Sequence, residues 1–314
     1  MELDIWPTQL NEAILISRLL QGSSTPDVER LAMQEWSVSD ASADAADPSW
    51  KAYLSAGIEE HHYWDWFRKE PPVFVRRLKP WHPGLPSPLN SPEDSHLKFA
   101  PGTSLQLAQE QGYCFVQDLG SQMSVQHKCL LGTTPIRVWD ACCGAGGKSL
   151  QLLSQNQHVS LVCSDTRKSI LGNLKNRFRL AQLTQPMVFS FDPLTDSADH
   201  WAGPEQFDRI ILDVPCSGSG TWRRNPEERH QFRFSKLEAL LPIQAQLMQK
   251  VSAKLKSGAY LIYITCSIFE KENEAQVAAF LDQHPEFELE EQGLVGGPTA
   301  DADYLFRAVL KKVS

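Results

Sequence analysis

The chain has 314 residues, 42% hydrophobic and 22% charged, which is the make-up of a globular protein long enough for two domains. Met1–Trp6 shows no basic segment leading into an apolar core, and no stretch holds the about 18 uncharged apolar residues of a membrane span; no signal peptide, no membrane anchor and a cytoplasmic location are expected. The net charge of −8 argues against nucleic acid as a partner of the whole surface, and seven cysteines without a Cys-x-x-Cys pair read as reduced thiols free for chemistry.

Taken in chain order, helices are expected over 3–20, 25–37 and 48–69. The last carries Tyr53, His61, His62, Tyr63, Trp64, Trp66 and Phe67. This cluster reads as helix-packing core in preference to a base-stacking platform, because stacking needs the rings on one exposed face. Residues 72–79 predict a strand ending in the cations Arg76, Arg77 and Lys79. Pro80, Pro83, Pro86, Pro88, Pro92 and Pro101 then exclude helix and central strand, so 80–101 is expected to connect without regular structure. On this reading residues 1–100 form a mostly helical N-terminal region, and residues 101–314 a second domain.

From about residue 113 the pattern alternates. Short β-rich apolar runs at Ile136–Trp139, Val159–Cys163, Met187–Phe191, Ile210–Leu212 and Tyr260–Ile264 are separated by helical patterns over 147–156, 167–182 and 236–256. Alternation of this kind specifies an α/β fold, a parallel sheet with helices on both faces, whose sites lie beyond the carboxyl ends of the strands.

The first strand-to-helix turn reads Asp140-Ala141-Cys142-Cys143-Gly144-Ala145-Gly146-Gly147-Lys148-Ser149. Its glycines let the backbone approach a ligand, and the helix amides behind them favour an electronegative group. A dinucleotide Gly-x-Gly-x-x-Gly fails at Ser149, and a phosphate-binding Gly-x-x-x-x-Gly-Lys-Ser fails at Cys142. Asp165 closes the next strand, where an acid accepts hydrogen bonds from ribose hydroxyls in this topology. Asp192 ends the third strand, near where an adenine would lie, and reads equally as a turn-forming Asp before Pro193.

The fourth strand runs into Asp213-Val214-Pro215-Cys216-Ser217-Gly218-Ser219-Gly220, and the fifth into Thr265-Cys266-Ser267. Adjacent strands thus bring two thiols and a carboxyl to one rim. With no His or Cys at ligand spacing, no metal is expected there. The set suits methylation at C5 of cytosine. A thiolate added at C6 makes C5 enamine-like while a carboxyl group engages N3, and the base must be unpaired or flipped out to enter such a pocket.

These residues resemble the Nol/Nop/Sun family of RNA cytosine-C5 methyltransferases, from about Val116 to the end of the chain. The resemblance rests on Val116-Gln117-Asp118-Leu119-Gly120-Ser121-Gln122, the 140–149 loop, Asp213-Val214-Pro215-Cys216-Ser217-Gly218-Ser219-Gly220-Thr221-Trp222-Arg223-Arg224-Asn225-Pro226, and Thr265-Cys266-Ser267-Ile268 with Glu272-Asn273-Glu274. It implies a Rossmann-like class I methyltransferase sheet, with Cys266 as nucleophile, Cys216 assisting product release and Asp213 contacting cytosine and cofactor. It also implies that S-adenosylmethionine is held by Cys142, Cys143, Gly144, Ala145, Gly146, Gly147 and Lys148 together with Asp165, Asp192 and Asp213. The substrate expected from bacterial members is ribosomal RNA. Two departures stand out. The family loop usually reads Cys-Ala-Ala-Pro-Gly-Gly-Lys, and its frequent Asp-Gly-Phe-Phe is Asp303-Tyr304-Leu305-Phe306 here, in an expected terminal hairpin. Before residue 100 only Phe74–Leu78 match, where the family has a small RNA-contacting subdomain.

Between Arg223 and Lys236 five cations face two acids, a local excess set against the acidic whole. Arg76, Arg77, Arg223, Arg224 and Asn225 are therefore the expected RNA contacts. Rival readings are a DNA cytosine-C5 methyltransferase attacking through Cys216, an NTPase using Gly147-Lys148-Ser149, and a catalytically silent RNA-binding or ribosome-assembly factor. Intact Thr-Cys-Ser, the missing first P-loop glycine and retention of both cysteines with Asp213 oppose them in turn.

Overall fold

The computed structural model describes residues 54–156, 158–196, 203 and 206–313. The expected helices over 3–20 and 25–37, and Tyr53, lie outside the described residues. In chain order the elements are α1 (Glu60–Phe67), β1 (Val73–Arg77), β2 (His96–Phe99), α2 (Gln106–Glu110), β3 (Cys114–Val116), α3 (Leu119–Ser124), β4 (Ile136–Asp140), α4 (Gly147–Gln155), β5 (Val159–Asp165) and α5 (Lys168–Leu180). There follow β6 (Met187–Ser190), β7 (Phe207–Asp213), α6 (Pro226–Gln231), α7 (Phe234–Ser252), β8 (Leu255–Thr265), α8 (Glu274–Gln283), β9 (Phe287–Gly296) and β10 (Tyr304–Lys312).

Seven strands form the main sheet in the order β6-β5-β4-β7-β8-β10-β9. The first five are parallel, and β10 pairs antiparallel with both β8 and β9. Successive side chains on a strand point to opposite faces, and the two cores follow that parity. Trp139, Ile210, Leu212, Leu261 and Tyr263 pack under α7 and α8 on one face. Val138, Ile211, Ile262 and Ile264 pack with α4 and α5 on the other. Strands buried on both faces explain why the runs read as continuously apolar.

A second, three-stranded antiparallel sheet has the order β2-β1-β3 and draws its strands from both sides of residue 100. Its strand β2 lies inside the segment expected to be irregular. The stretch from 93 to 100 contains no proline, so its backbone donors remain available to pair with β1. Among the described residues of the helix expected over 48–69, only α1 is helical. Tyr63, Trp66 and Phe67 are buried against Trp222, Phe232, Ile268, Phe269 and Tyr304, so these rings are core, as expected. None of the described helices is long and apolar enough to cross a membrane.

Candidate active site

Every polar residue singled out at a strand end stands at the carboxyl rim of the sheet. Asp140 ends β4, Asp165 ends β5 and Asp213 ends β7, while Cys266 follows the last residue of β8. Between β4 and α4 the backbone turns at Gly144 (φ 52°) and Gly146 (φ 77°). At Gly146 a Cβ would also sit 2.8 Å from Leu174, so the left-handed turn and the close passage of α5 both demand glycine. Arg177 of α5 braces the loop, donating to the Ala145 carbonyl at 3.0 Å and to that of Val116 at 3.0 Å. Asp140 accepts from the Ser149 hydroxyl at 2.6 Å, and burial pushes its carboxyl up to about 7. Its other oxygen, Oδ1, is buried with no hydrogen-bond partner among the described residues.

Asp165 is held from several sides. Gly144 N donates to Oδ2 at 3.0 Å, Arg167 N donates to Oδ1 at 2.9 Å, and the Arg167 guanidinium spans both oxygens at 2.9 and 3.0 Å. Burial alone would raise this carboxyl, but the donors outweigh it and hold it below the usual range. The exposed Arg167 is a feature the sequence reading passed over. Asp192 adopts the turn-forming geometry, its Oδ1 accepting from Leu194 N at 2.9 Å while its carboxyl remains half-buried at the rim.

Lys148 reaches across from α4 to Asp213, Nζ to Oδ2 at 2.6 Å. Burial opposes the lysine charge, yet the carboxylate raises its proton affinity above the ordinary value. This pair fixes the carboxyl group at the mouth of the site. Three residues beyond Asp213, Cys216 Sγ lies 3.3 Å from Cys266 Sγ, and Cys266 N also points at Cys216 Sγ at 3.3 Å. The hydrogen bond to Cys266 and then burial hold the Cys216 thiol well above its usual range.

A buried polar network brings the sulfurs together. Ser217, Ser219 and Ser267 share their hydroxyls at 3.0 to 3.2 Å. Glu272 Oε1 accepts from Ser217 N and from Gln244 Nε2, each at 2.9 Å, and Gln244 also donates to the Pro215 carbonyl at 3.0 Å. Asn273 binds the Thr265 hydroxyl at 2.5 Å and the Ser267 carbonyl at 2.9 Å, and reaches Ser55 at 2.7 Å. Gly220 N donates to the Cys266 carbonyl at 2.9 Å, and a Cβ at Gly220 would lie 2.0 Å from the Tyr304 carbonyl, so only glycine fits this crossing. Sequence reading quoted Glu272-Asn273-Glu274 without giving it a task, and it missed Gln244. The available signal was a run of five polar residues beginning four positions after Cys266, at the start of an apolar helix.

The expected RNA contacts fare differently. Arg223 turns inward: its side chain is 1% exposed, pairs with Asp301 at 2.8 Å, donates to the carbonyls of Lys69 and Glu70, and lies over Trp66. Arg76 is buried in the small sheet against Ser95. Arg77 ties down the 93–94 turn through two carbonyls. Arg224 pairs with the buried Asp303, and Asn225 faces Thr221. These side chains hold loops together, which corrects the picture of an open basic face at Arg76 and Arg223. Asp303 in turn crowds Asp118, whose carboxyl is raised to about 6 first by burial and then by the Asp303 charge. Among the described residues no group of three or more His, Cys, Asp or Glu side chains could hold a metal ion.

Residues 132–305 match the family described as 16S rRNA methyltransferase RsmB/F. Ribosomal RNA small subunit methyltransferase B of Yersinia pseudotuberculosis is 35% identical over 189 residues, 60% of this chain and 43% of that protein, so the chain spans less than half of that relative. The crystal structure of NSun6 from Pyrococcus horikoshii with SFG superposes with a TM-score of 0.67 at 16% identity, covering 81% of this chain and 94% of that one. A methyltransferase homolog protein from Pyrococcus horikoshii gives a TM-score of 0.64 at 17% identity, covering 98% and 100%. At these identities the two structures show the fold alone.

Proposed function

The chain belongs to the 16S rRNA methyltransferase RsmB/F family, and from that premise we propose that it is an S-adenosylmethionine-dependent RNA cytosine-C5 methyltransferase acting on ribosomal RNA. The observation that carries the reading is the pair of sulfurs 3.3 Å apart, beside the carboxyl end of β7. C5 of cytosine is a poor nucleophile. Bond formation between the Cys266 thiolate and C6 breaks the C5–C6 double bond and makes C5 enamine-like. Asp213, steadied by Lys148, is the carboxyl group placed to bind the N3 edge during that addition. Once C5 carries the methyl group, a general base accepts the C5 proton, the C5–C6 double bond re-forms and the C6–S bond breaks. The protonated Cys216 stabilises the departing Cys266 thiolate by donating a hydrogen bond. A base that must meet a sulfur at the rim enters unpaired or flipped out of a helix.

S-adenosylmethionine, when bound, supplies the electrophilic methyl group. The glycine turn from Cys142 to Lys148 is an open backbone cradle, and the partnerless Oδ1 of Asp140 beneath it suits a polar ligand. Asp165 is the residue for a ribose diol, which would take the place held by the Arg167 guanidinium, and Asp192 flanks the adenine position. Burial raises the Cys142 thiol, and the hydrogen bond to Cys163 and then burial raise that of Cys143, so both line the cradle as neutral thiols.

The test is to incubate the protein with labelled S-adenosylmethionine and an unmodified small-subunit ribosomal RNA transcript and to digest the RNA to nucleosides. Label is expected in 5-methylcytidine and should fall by at least about 10⁴-fold in Cys266→Ala, as for loss of a catalytic nucleophile. Label in another nucleoside, or full transfer by Cys266→Ala, contradicts the assignment.

A further inference from the structure

The segment from 166 to 191 holds five cations (Arg167, Lys168, Lys175, Arg177 and Arg179) and no acid, in a chain whose net charge is −8. Two of the five have internal work. Arg167 binds Asp165, and Arg177 braces the cofactor turn. The other three lie on exposed positions of α5. At about 100° per residue, Lys168, Lys175 and Arg179 fall within about 40° of one another, a stripe about 16 Å long. Neither lysine makes an ion pair among the described residues, and Arg179 touches only the neutral Asn176 at 2.8 Å.

Helix stability does not account for this face. Arg179, in the last turn, suits the negative end of the helix, but Lys168 is the first residue of α5, where a cation is unfavourable, and that turn has no acid. Gly172 lies on the same face, and a Cβ there would meet nothing within 4 Å. Glycine in mid-helix weakens the helix, and here neither packing nor a left-handed turn requires it. Without a side chain at 172 a polyanion can approach the helix backbone closely between the cations. Beyond the C-terminal end of the helix Lys79 extends the charge, its Nζ 3.3 Å from the Cβ position of Gly112, which itself abuts the Leu180 carbonyl.

We propose that the α5 stripe of Lys168, Lys175 and Arg179, with Gly172 between them, is the track for the phosphate backbone of the RNA substrate. It rests on the RNA reading of the site and takes the place of Arg76 and Arg223, which the fold buries. Arg177 braces the cofactor turn from the opposite face of this helix, and Lys168 follows Arg167 on Asp165, so the track begins at the carboxyl rim and runs away from it along the outer face.

The test titrates the full chain against an unmodified small-subunit ribosomal RNA transcript at several salt concentrations. The triple variant Lys168→Gln/Lys175→Gln/Arg179→Gln should bind at least about tenfold more weakly, and its log–log salt slope should be shallower by about 2, since each phosphate contact contributes about 0.7 to 0.9. The charge-keeping set Lys168→Arg/Lys175→Arg/Arg179→Lys should bind as the parent does. Gly172→Ala should melt at a higher temperature yet bind RNA more weakly, a combination that a purely structural role would not give. Unchanged S-adenosylmethionine affinity in all variants, measured by calorimetry, shows that the fold is intact. A triple variant with the parental affinity and slope overturns the track, as does a parent protein that does not bind the transcript. Stripe-dependent binding without methyl transfer leaves the track standing and removes the catalytic reading.

Discussion

Around Cys216 and Cys266 the polar side chains are committed to one another: three serine hydroxyls, Glu272, Gln244 and Asn273 fix both loops from inside. Along α5, Lys168 and Lys175 stand exposed with no ion pair among the described residues. The rim is built for position, since atoms that form and break bonds must be held in advance. The helix face is built for charge, since a phosphate track works through long side chains that adapt. Sequence shows residue type in both places, but only the fold shows which residues are already spent.

The comparison is broken most severely by emptying the rim from within. Glu272→Ala leaves Ser217 N without its acceptor and Gln244 with the Pro215 carbonyl alone, shifts the Cys216 loop, and should lower kcat by about 10²-fold with little change in the KM for RNA. Glu272→Gln keeps an acceptor oxygen and should recover most of the rate; steady-state kinetics on the three proteins decides. Arg223→Ala addresses the contrast between spent and available cations. It should cost about 2 kcal/mol in denaturant unfolding, because the carbonyls of Lys69 and Glu70 lose their buried donor, while the salt slope of RNA binding stays parental. A shallower slope with unchanged stability would put Arg223 on the RNA.

The smallest expected effect is in pH. Folding raises the Asp118 carboxyl from 3.8 to about 6 and that of Asp140 to about 7, so the folded state binds more protons than the unfolded chain in that window. Their contribution to stability is therefore full below about 4 and is lost as pH rises towards 7. Asp118→Asn retains an oxygen for Gly120 N and Asp303 N and should flatten the fall of melting temperature between pH 4 and 6.

Much of this was readable beforehand, for a local reason. A strand followed at once by Asp, Gly or Cys carries its functional residue on the element that places it, so Asp165, Asp213, Cys216 and Cys266 were placed at the rim from short windows, whereas the buried Asp140 was given no role. What escaped depends on distant partners. Arg223 meets Asp301 across 78 positions, and Arg224 meets Asp303 across 79, so a dense arginine run looked like surface when it was clasp. The α5 track was overlooked for the opposite reason: its cations are spaced by helical period rather than clustered. Likewise β2 was hidden by the prolines around it; the terminal hairpin of β9 and β10 was foreseen, but the antiparallel pairing of β10 with β8 is recorded by no single segment.

The central claim is a division of labour between two thiols, and trapped adducts test it most directly. Cys266→Ala, Cys216→Ala and the parent are each incubated with S-adenosylmethionine and RNA, then resolved under denaturing conditions. A covalent protein–RNA band that accumulates in Cys216→Ala and is absent from Cys266→Ala is the predicted result. A band that persists in Cys266→Ala and disappears in Cys216→Ala would make Cys216 the nucleophile and contradict the account.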